Sequence, residues 1–216
     1  ISRSDWSSDV YSSDLTKKLQ GFNDQHFDSQ ALNPYTPAAF SWPSTMPQWA
    51  QDELMSELQR LMSLLKVKTG VYNIETRLCK NGKPYIMELA PRGGGNRLSE
   101  MMKYISGQDL IDNCVRAAVG DSIDEIHQPE YDGYWAEIIL HSERDGVFQS
   151  IEIDKTVEER FLIEKDIWVK AGDKVQGFTG ANTTIGTLIL KFNSRKEMKS
   201  FIDCLEWKYK INTCQR

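Results

Sequence analysis

Residues Gly70 to Arg92 read G-V-Y-N-I-E-T-R-L-C-K-N-G-K-P-Y-I-M-E-L-A-P-R, two runs rich in β-branched and aromatic residues on either side of Asn81-Gly82. An Asn-Gly pair predicts a two-residue type I′ hairpin turn, because both central positions of that turn need positive φ. The register then follows: Lys80 opposite Lys83, Leu78 opposite Tyr85, Arg77 opposite Ile86 and Glu75 opposite Glu88. Side chains alternate across a strand, so Ile74, Thr76, Leu78, Tyr85, Met87 and Leu89 are expected on one apolar, core-facing side. Asn73, Glu75, Arg77 and Glu88 are expected on the other, looking outward.

Directly opposed strand residues hold their Cβ atoms roughly 4.5 to 5.5 Å apart, and like charges there repel. Two arrangements relieve the repulsion between Glu75 and Glu88. Arg77 bridges both acids in a surface ion-pair lattice, or a divalent cation sits between them. Magnesium prefers carboxylate oxygens, takes only one or two from protein and fills its other sites with water and phosphate.

Beyond the hairpin, Pro91 ends the strand and Arg92 supplies a planar, permanently charged group suited to phosphate or carboxylate. Gly93-Gly94-Gly95-Asn96 then leads into a helix with Leu98, Met101, Met102 and Ile105 on its apolar face, closed by Gly107. Glycines before a helix let backbone N–H groups approach an anion, and the helix N-terminus favours negative charge. Paired carboxylates, an arginine and a glycine-rich approach to a helix together suit a phosphoryl-transfer surface. Asn96 is either a further ligand or the cap of the helix beginning near Arg97.

G-V-Y-N-I-E, the hairpin, M-E-L-A-P-R and the helix pair ending S-G-Q-D-L-I-D-N-C-V-R-A-A-V-G resemble the C-terminal half of the ATP-grasp domain of carboxylate-amine ligases. The likeness is to the branch containing biotin carboxylase, the ATP-using purine-biosynthesis carboxylases and L-amino acid ligases, over roughly residues 20 to 125. The resemblance implies an ATP-dependent ligase that activates a carboxylate as an acyl phosphate and joins it to an amine or similar nucleophile. It implies ATP and Mg²⁺ as cofactors, with Mn²⁺ able to substitute. By motif position Glu75 and Glu88 become metal ligands. Arg92 becomes the anion-contacting, catalytic residue, and Glu75, Glu88, Arg92 and Asn96 form the cofactor-binding set. Many members carry asparagine two residues after the second glutamate; here that position is Ala90, which leaves the second metal site open. The rival reading is a noncatalytic module that binds a small anion or a protein partner on the same fold. ATP-contacting lysines and a glycine-rich loop upstream discriminate the two. Nothing before Gly21 supplies them, so this chain by itself is expected to bind ATP poorly and to be inactive.

The flanking sequence is divided accordingly. Residues 1 to 15, I-S-R-S-D-W-S-S-D-V-Y-S-S-D-L, lack the apolar core of a secretory signal. They resemble one translated frame of a common sequencing adapter, with Tyr11 where that translation has cysteine. They are read as a non-native or disordered segment, with native sequence from Thr16. Residues 21 to 45 suggest a strand and a long irregular connection. Trp49, Leu54, Leu58, Leu61, Met62 and Leu65 recur at helical spacing after Pro47, predicting a helix over 47–66 before Gly70.

After the connection around 121–132, strands are expected at Y-W-A-E-I-I-L-H and G-V-F-Q-S-I-E-I, joined through Asp145-Gly146. D-I-W-V-K-A-G-D-K-V and I-G-T-L-I-L-K-F continue a sheet, and Ser194 caps a helix running through Trp207. The fold class is therefore α+β: the C-terminal part of an ATP-grasp domain over 16–125, an antiparallel sheet with helices, followed by a small α+β domain over 130–216. That second part weakly resembles the domain following ATP-grasp in L-amino acid ligase-like proteins.

With 31 acidic and 26 basic residues among 216 and no basic cluster, the chain lacks the electrostatic footprint of a nucleic-acid or anionic-membrane binder. Small-molecule partners and a cytoplasmic location are expected, with Cys79, Cys114, Cys204 and Cys214 as reduced thiols. His26, His127 and His141 lie too far apart for the usual zinc spacing, and His141 reads as structural. Substrate identity and oligomeric state are not encoded in these features.

Overall fold

The computed structural model describes residues 5–14, 17–67, 70–124, 129–205 and 208–214, with side chains from residue 21 onward. His127, Trp207 and the proposed native start at Thr16 lie outside the described residues. In chain order the first elements are β1 (Asp5–Asp14), β2 (Lys17–Phe27), β3 (Pro37–Trp42), α1 (Gln48–Leu65), β4 (Val71–Leu78), β5 (Pro84–Ala90), α2 (Leu98–Ser106) and α3 (Leu110–Val119). They continue with β6 (Tyr134–His141), β7 (Gly146–Ile153), α4 (Lys155–Arg160), β8 (Leu162–Ile167), β9 (Lys174–Val175), β10 (Thr184–Phe192), α5 (Arg195–Ile202) and β11 (Tyr209–Cys214). The expected α+β class is present.

The chain divides into two compact units, one of Ile1–Asp24 with Trp42–Asp132 and one of Gln25–Ser41 with Gly133–Arg216. The second unit thus takes a segment from early in the chain, where the sequence suggests two contiguous domains. Its reason is β3, which stands where an irregular connection is expected. From Ala38 to Trp42 every residue of that strand is buried, and Ala39 belongs to the same core as Ile138, Leu140, Leu188 and Phe192.

In the first unit the strands run β5-β4-β1-β2. α1 forms where expected, but its buried face is Ala50, Leu54, Leu58 and Met62. Trp49 and Leu65, both counted in the apolar stripe, fall beside that line and are exposed, because neighbouring helical residues point about 100° apart. The helix ends where expected: the cap residue Lys66 takes a left-handed φ of 52°, and its N–H returns to Met62 and Ser63. Asp5–Asp14, read from sequence as disordered or non-native, forms β1, antiparallel to β4 from Trp6↔Thr76 to Tyr11↔Val71. Pairing of this kind satisfies backbone N–H and C=O groups whatever the side chains, so it does not bear on where residues 1–15 come from.

In the second unit one sheet runs β3-β6-β10-β8 and a smaller one β11-β7-β9. Asp145-Gly146 does join β6 to β7, but the two strands enter different sheets instead of pairing as a hairpin. Ser194 caps α5 by accepting from the Glu197 N–H at 3.2 Å. That helix ends at Ile202, short of the expected end at Trp207, and β11 follows from Tyr209. No helix among the described residues is long and apolar enough to cross a membrane.

Candidate functional site

The β4–β5 hairpin carries the predicted site, and its details differ from the two-residue turn. The Gly82 N–H donates to Cys79 O at 2.9 Å and the Cys79 N–H to Lys83 O at 2.9 Å, closing a three-residue loop over Lys80, Asn81 and Gly82. Within it only Gly82 has positive φ, +74°, the arrangement of a type I turn followed by a left-handed glycine. Asn81 holds the loop by accepting from the Lys83 N–H at 3.0 Å and donating to the Tyr85 hydroxyl at 2.9 Å.

That loop shifts the register by one, pairing Leu78 with Pro84, Arg77 with Tyr85 and Thr76 with Ile86. A bulge then inserts Met87 as an extra residue on β5, after which Glu75 faces Glu88, Ile74 faces Leu89 and Asn73 faces Ala90. The two offsets cancel. A one-residue slip sends a side chain to the opposite face of the sheet. So Ile86, expected outside, packs beside Leu58, Met62 and Ile74, whereas Tyr85 and Met87, expected in the core, are exposed.

On the outward face Glu75 is half-buried and Glu88 exposed. Among the described residues the Glu88 side chain has neither a hydrogen bond nor an ion pair. Arg77 lies opposite Tyr85 and does not clasp both acids. A bridge from Arg77 to both acids is therefore not formed among the described residues. Asn73 shares this face, and its Oδ1 is buried without a hydrogen-bond partner among the described residues. Sequence reasoning grouped Asn73 with the acids but gave it no role; its strand parity was the available signal.

Arg92 sits in the bend after β5. Its backbone N–H donates to Ala90 O at 2.8 Å and its Nη1 to Gly93 O at 2.8 Å, and the side chain is otherwise exposed. The glycine run is less open than the sequence suggests. A Cβ on Gly93 would lie 2.5 Å from Ser99 Oγ, and one on Gly94 2.5 Å from Leu98 Cδ1 and 2.7 Å from Leu98 Cβ. Those two glycines allow the chain to pass close to the start of α2; Gly95 alone faces open space. Asn96 takes a left-handed φ of 54° and does not cap the helix. Arg97 occupies the cap position without a side-chain cap bond, its Nε donating instead to Glu100 Oε2 at 2.7 Å.

Among the described residues no three His, Cys, Asp or Glu side chains gather around one point. A hard cation at this face would meet, among the described residues, the two opposed carboxylates and complete its shell with neutral oxygens, the pattern magnesium tolerates. The four cysteines are free thiols.

No family model matches the chain. Over 86 residues, 40% of this chain and 9% of the relative, it is 31% identical to carnosine synthase 1 of Gallus gallus. Among solved structures it superposes on the L-amino acid ligase from Bacillus licheniformis with a TM-score of 0.82 at 16% identity, covering 98% of this chain and 52% of that one. For phosphoribosylglycinamide synthetase from Anaerococcus prevotii the TM-score is 0.77 at 15% identity, over 99% and 54% of the two chains. For the biotin carboxylase domain of the Hydrogenobacter thermophilus 2-oxoglutarate carboxylase, solved with MgADP and bicarbonate, it is 0.67 at 14% identity, over 97% and 46%. At these identities the likeness establishes the fold, that of the ATP-grasp ligases. The chain spans about half the length of the solved structures it matches.

Proposed function

We propose that this chain is part of an ATP-dependent ligase that activates a carboxylate as an acyl phosphate and joins it to an amine or similar nucleophile in the cytoplasm. In that reaction a carboxylate oxygen attacks the terminal phosphorus of ATP and the bond to ADP breaks. The amine nitrogen then attacks the carbonyl carbon, the C–O bond to phosphate breaks and the amine proton is lost to solvent. Glu75 and Glu88 would hold magnesium, which when bound offsets phosphate charge as it develops. Arg92 presents a planar fork with donors to spare for an oxyanion, and Asn96, just before α2, would contact phosphate. The residues of the chain position charge rather than exchange protons, which is how phosphoryl transfer is mostly accelerated.

The observation that carries this reading is Glu88, a carboxylate with no partner among the described residues, held directly opposite a second carboxylate. A protein with no use for the pair loses nothing by removing one acid. The test is titration of the purified chain with Mn²⁺, following the electron paramagnetic resonance of the free ion. The parent is expected to bind one ion, and Glu88→Gln to weaken that binding at least about tenfold, since deleting even an outer-shell partner costs 10–100-fold. Equal binding by parent and variant would end the metal assignment.

A further inference from the structure

We infer that Asn73 supplies a neutral oxygen ligand to the cation held by Glu75 and Glu88, an inference that rests on the metal reading of that pair. The argument starts from register. From Asn73 to Glu75 the ladder is unbroken, with Asn73 opposite Ala90, Ile74 opposite Leu89 and Glu75 opposite Glu88; the bulge lies beyond, between Glu75 and Thr76. Residues two apart on a strand share a face, so Asn73, Glu75, Glu88 and Ala90 are the four corners of one patch. Three corners carry oxygen. The fourth is a methyl group, which brings no oxygen of its own to the patch.

The second observation is the state of that amide. Asn73 Oδ1 is buried and has no hydrogen-bond partner among the described residues, although buried polar atoms in folded proteins are nearly always satisfied. An amide oxygen carries two lone pairs and no charge. Beside two carboxylates it is the group a hard divalent ion takes as an additional ligand, because it donates electron density without adding to the repulsion between the acids. A trapped water molecule would satisfy the same atom, and the two explanations differ in what they predict for metal affinity.

The experiment uses the same Mn²⁺ titration on four proteins: the parent chain, Asn73→Ala, Asn73→Ala combined with Ala90→Asn, and Glu88→Gln. Thermal melts in chelator confirm that each is folded. If Asn73 is a ligand, Asn73→Ala weakens Mn²⁺ binding about tenfold. The double variant then recovers most of the loss, because an amide at position 90 reaches the same space from the opposite strand. Unchanged affinity in Asn73→Ala, with Glu88→Gln defective, overturns the assignment of Asn73 and leaves the carboxylate pair standing. A loss in Asn73→Ala that Ala90→Asn does not restore assigns Asn73 to holding the strand in place and overturns the ligand role. If Glu88→Gln binds as the parent does, the metal reading itself fails and the Asn73 inference with it.

Discussion

Glu75 and Glu88 face each other with like charge, whereas in the second unit Asp28 and His141 meet with complementary chemistry. His141 Nε2 lies 3.1 Å from Asp28 Oδ2 and its Nδ1 lies 2.7 Å from Ile139 O. Both ring nitrogens therefore lie within hydrogen-bonding distance of an oxygen. The ring stacks on Phe178 with centroids 4.0 Å apart and meets Tyr209 edge-on at 6.4 Å. The His141 hydrogen bond holds the Asp28 carboxyl below its ordinary pKa; burial opposes this, and the Gln30 N–H, 2.8 Å away, adds to the lowering. Burial pushes the Tyr209 phenol up, and the charges of Asp28 and Glu143 push the same way. One pair is closed and internally satisfied. The other is open. A closed pair is how a fold is anchored; an open acid facing another of equal sign calls for something outside the chain.

The largest effect should come from breaking the closed pair. Asp28→Ala leaves a buried imidazole nitrogen without its acceptor, and it is expected to cost about 2 kcal/mol at neutral pH, read as a lower urea midpoint. A change within about 0.5 kcal/mol, the range of ordinary surface substitutions, would show that the pair anchors nothing. Acid should act next. Asp28 has a folded pKa below its unfolded value, so its contribution is present above about pH 3.9. It is lost as pH falls through the lower, folded value. Urea midpoints measured from pH 5.5 down to 2.5 should fall for the parent more steeply than for Asp28→Asn. Parallel curves would mean that ionisation of Asp28 contributes no stability.

The two pairs also differ in how far the sequence reveals them. Glu75 and Glu88 lie on adjacent strands joined by an Asn-Gly loop, so local turn chemistry and alternation were enough to bring them together. The agreement is partly fortunate: the three-residue loop and the Met87 bulge shift the register in opposite senses, and neither leaves a distinctive local pattern. The places where the shifts do not cancel are where the faces come out reversed, at Tyr85, Ile86 and Met87. Asp28 and His141 are 113 residues apart, and no periodicity reports such a distance. β3 is hidden for another reason. Buried along its length, it lacks the alternation that marks a half-exposed strand, and the N-P-Y-T-P run before it reads as a turn. Asn73 was placed on the correct face, but an unsatisfied atom is a property of packing and has no sequence signature.

The smallest predicted effect is the sharpest on the open pair, because its sign depends on what else is bound. Opposed like charges on a strand pair are destabilising by a few tenths of a kcal/mol. In chelator, then, Glu88→Gln should unfold at a slightly higher urea concentration than the parent, the reverse of Asp28→Ala. Added Mn²⁺ should invert the order: an ion bound only by the folded state stabilises it in proportion to the logarithm of its concentration over Kd, and the variant has lost that linkage. If Glu88→Gln is less stable than the parent in chelator, Glu88 is already satisfied within the chain, and the contrast between the two pairs disappears. If the order does not invert with Mn²⁺, the repulsion is real but no ion answers it, and the two acids are simply tolerated on an exposed face.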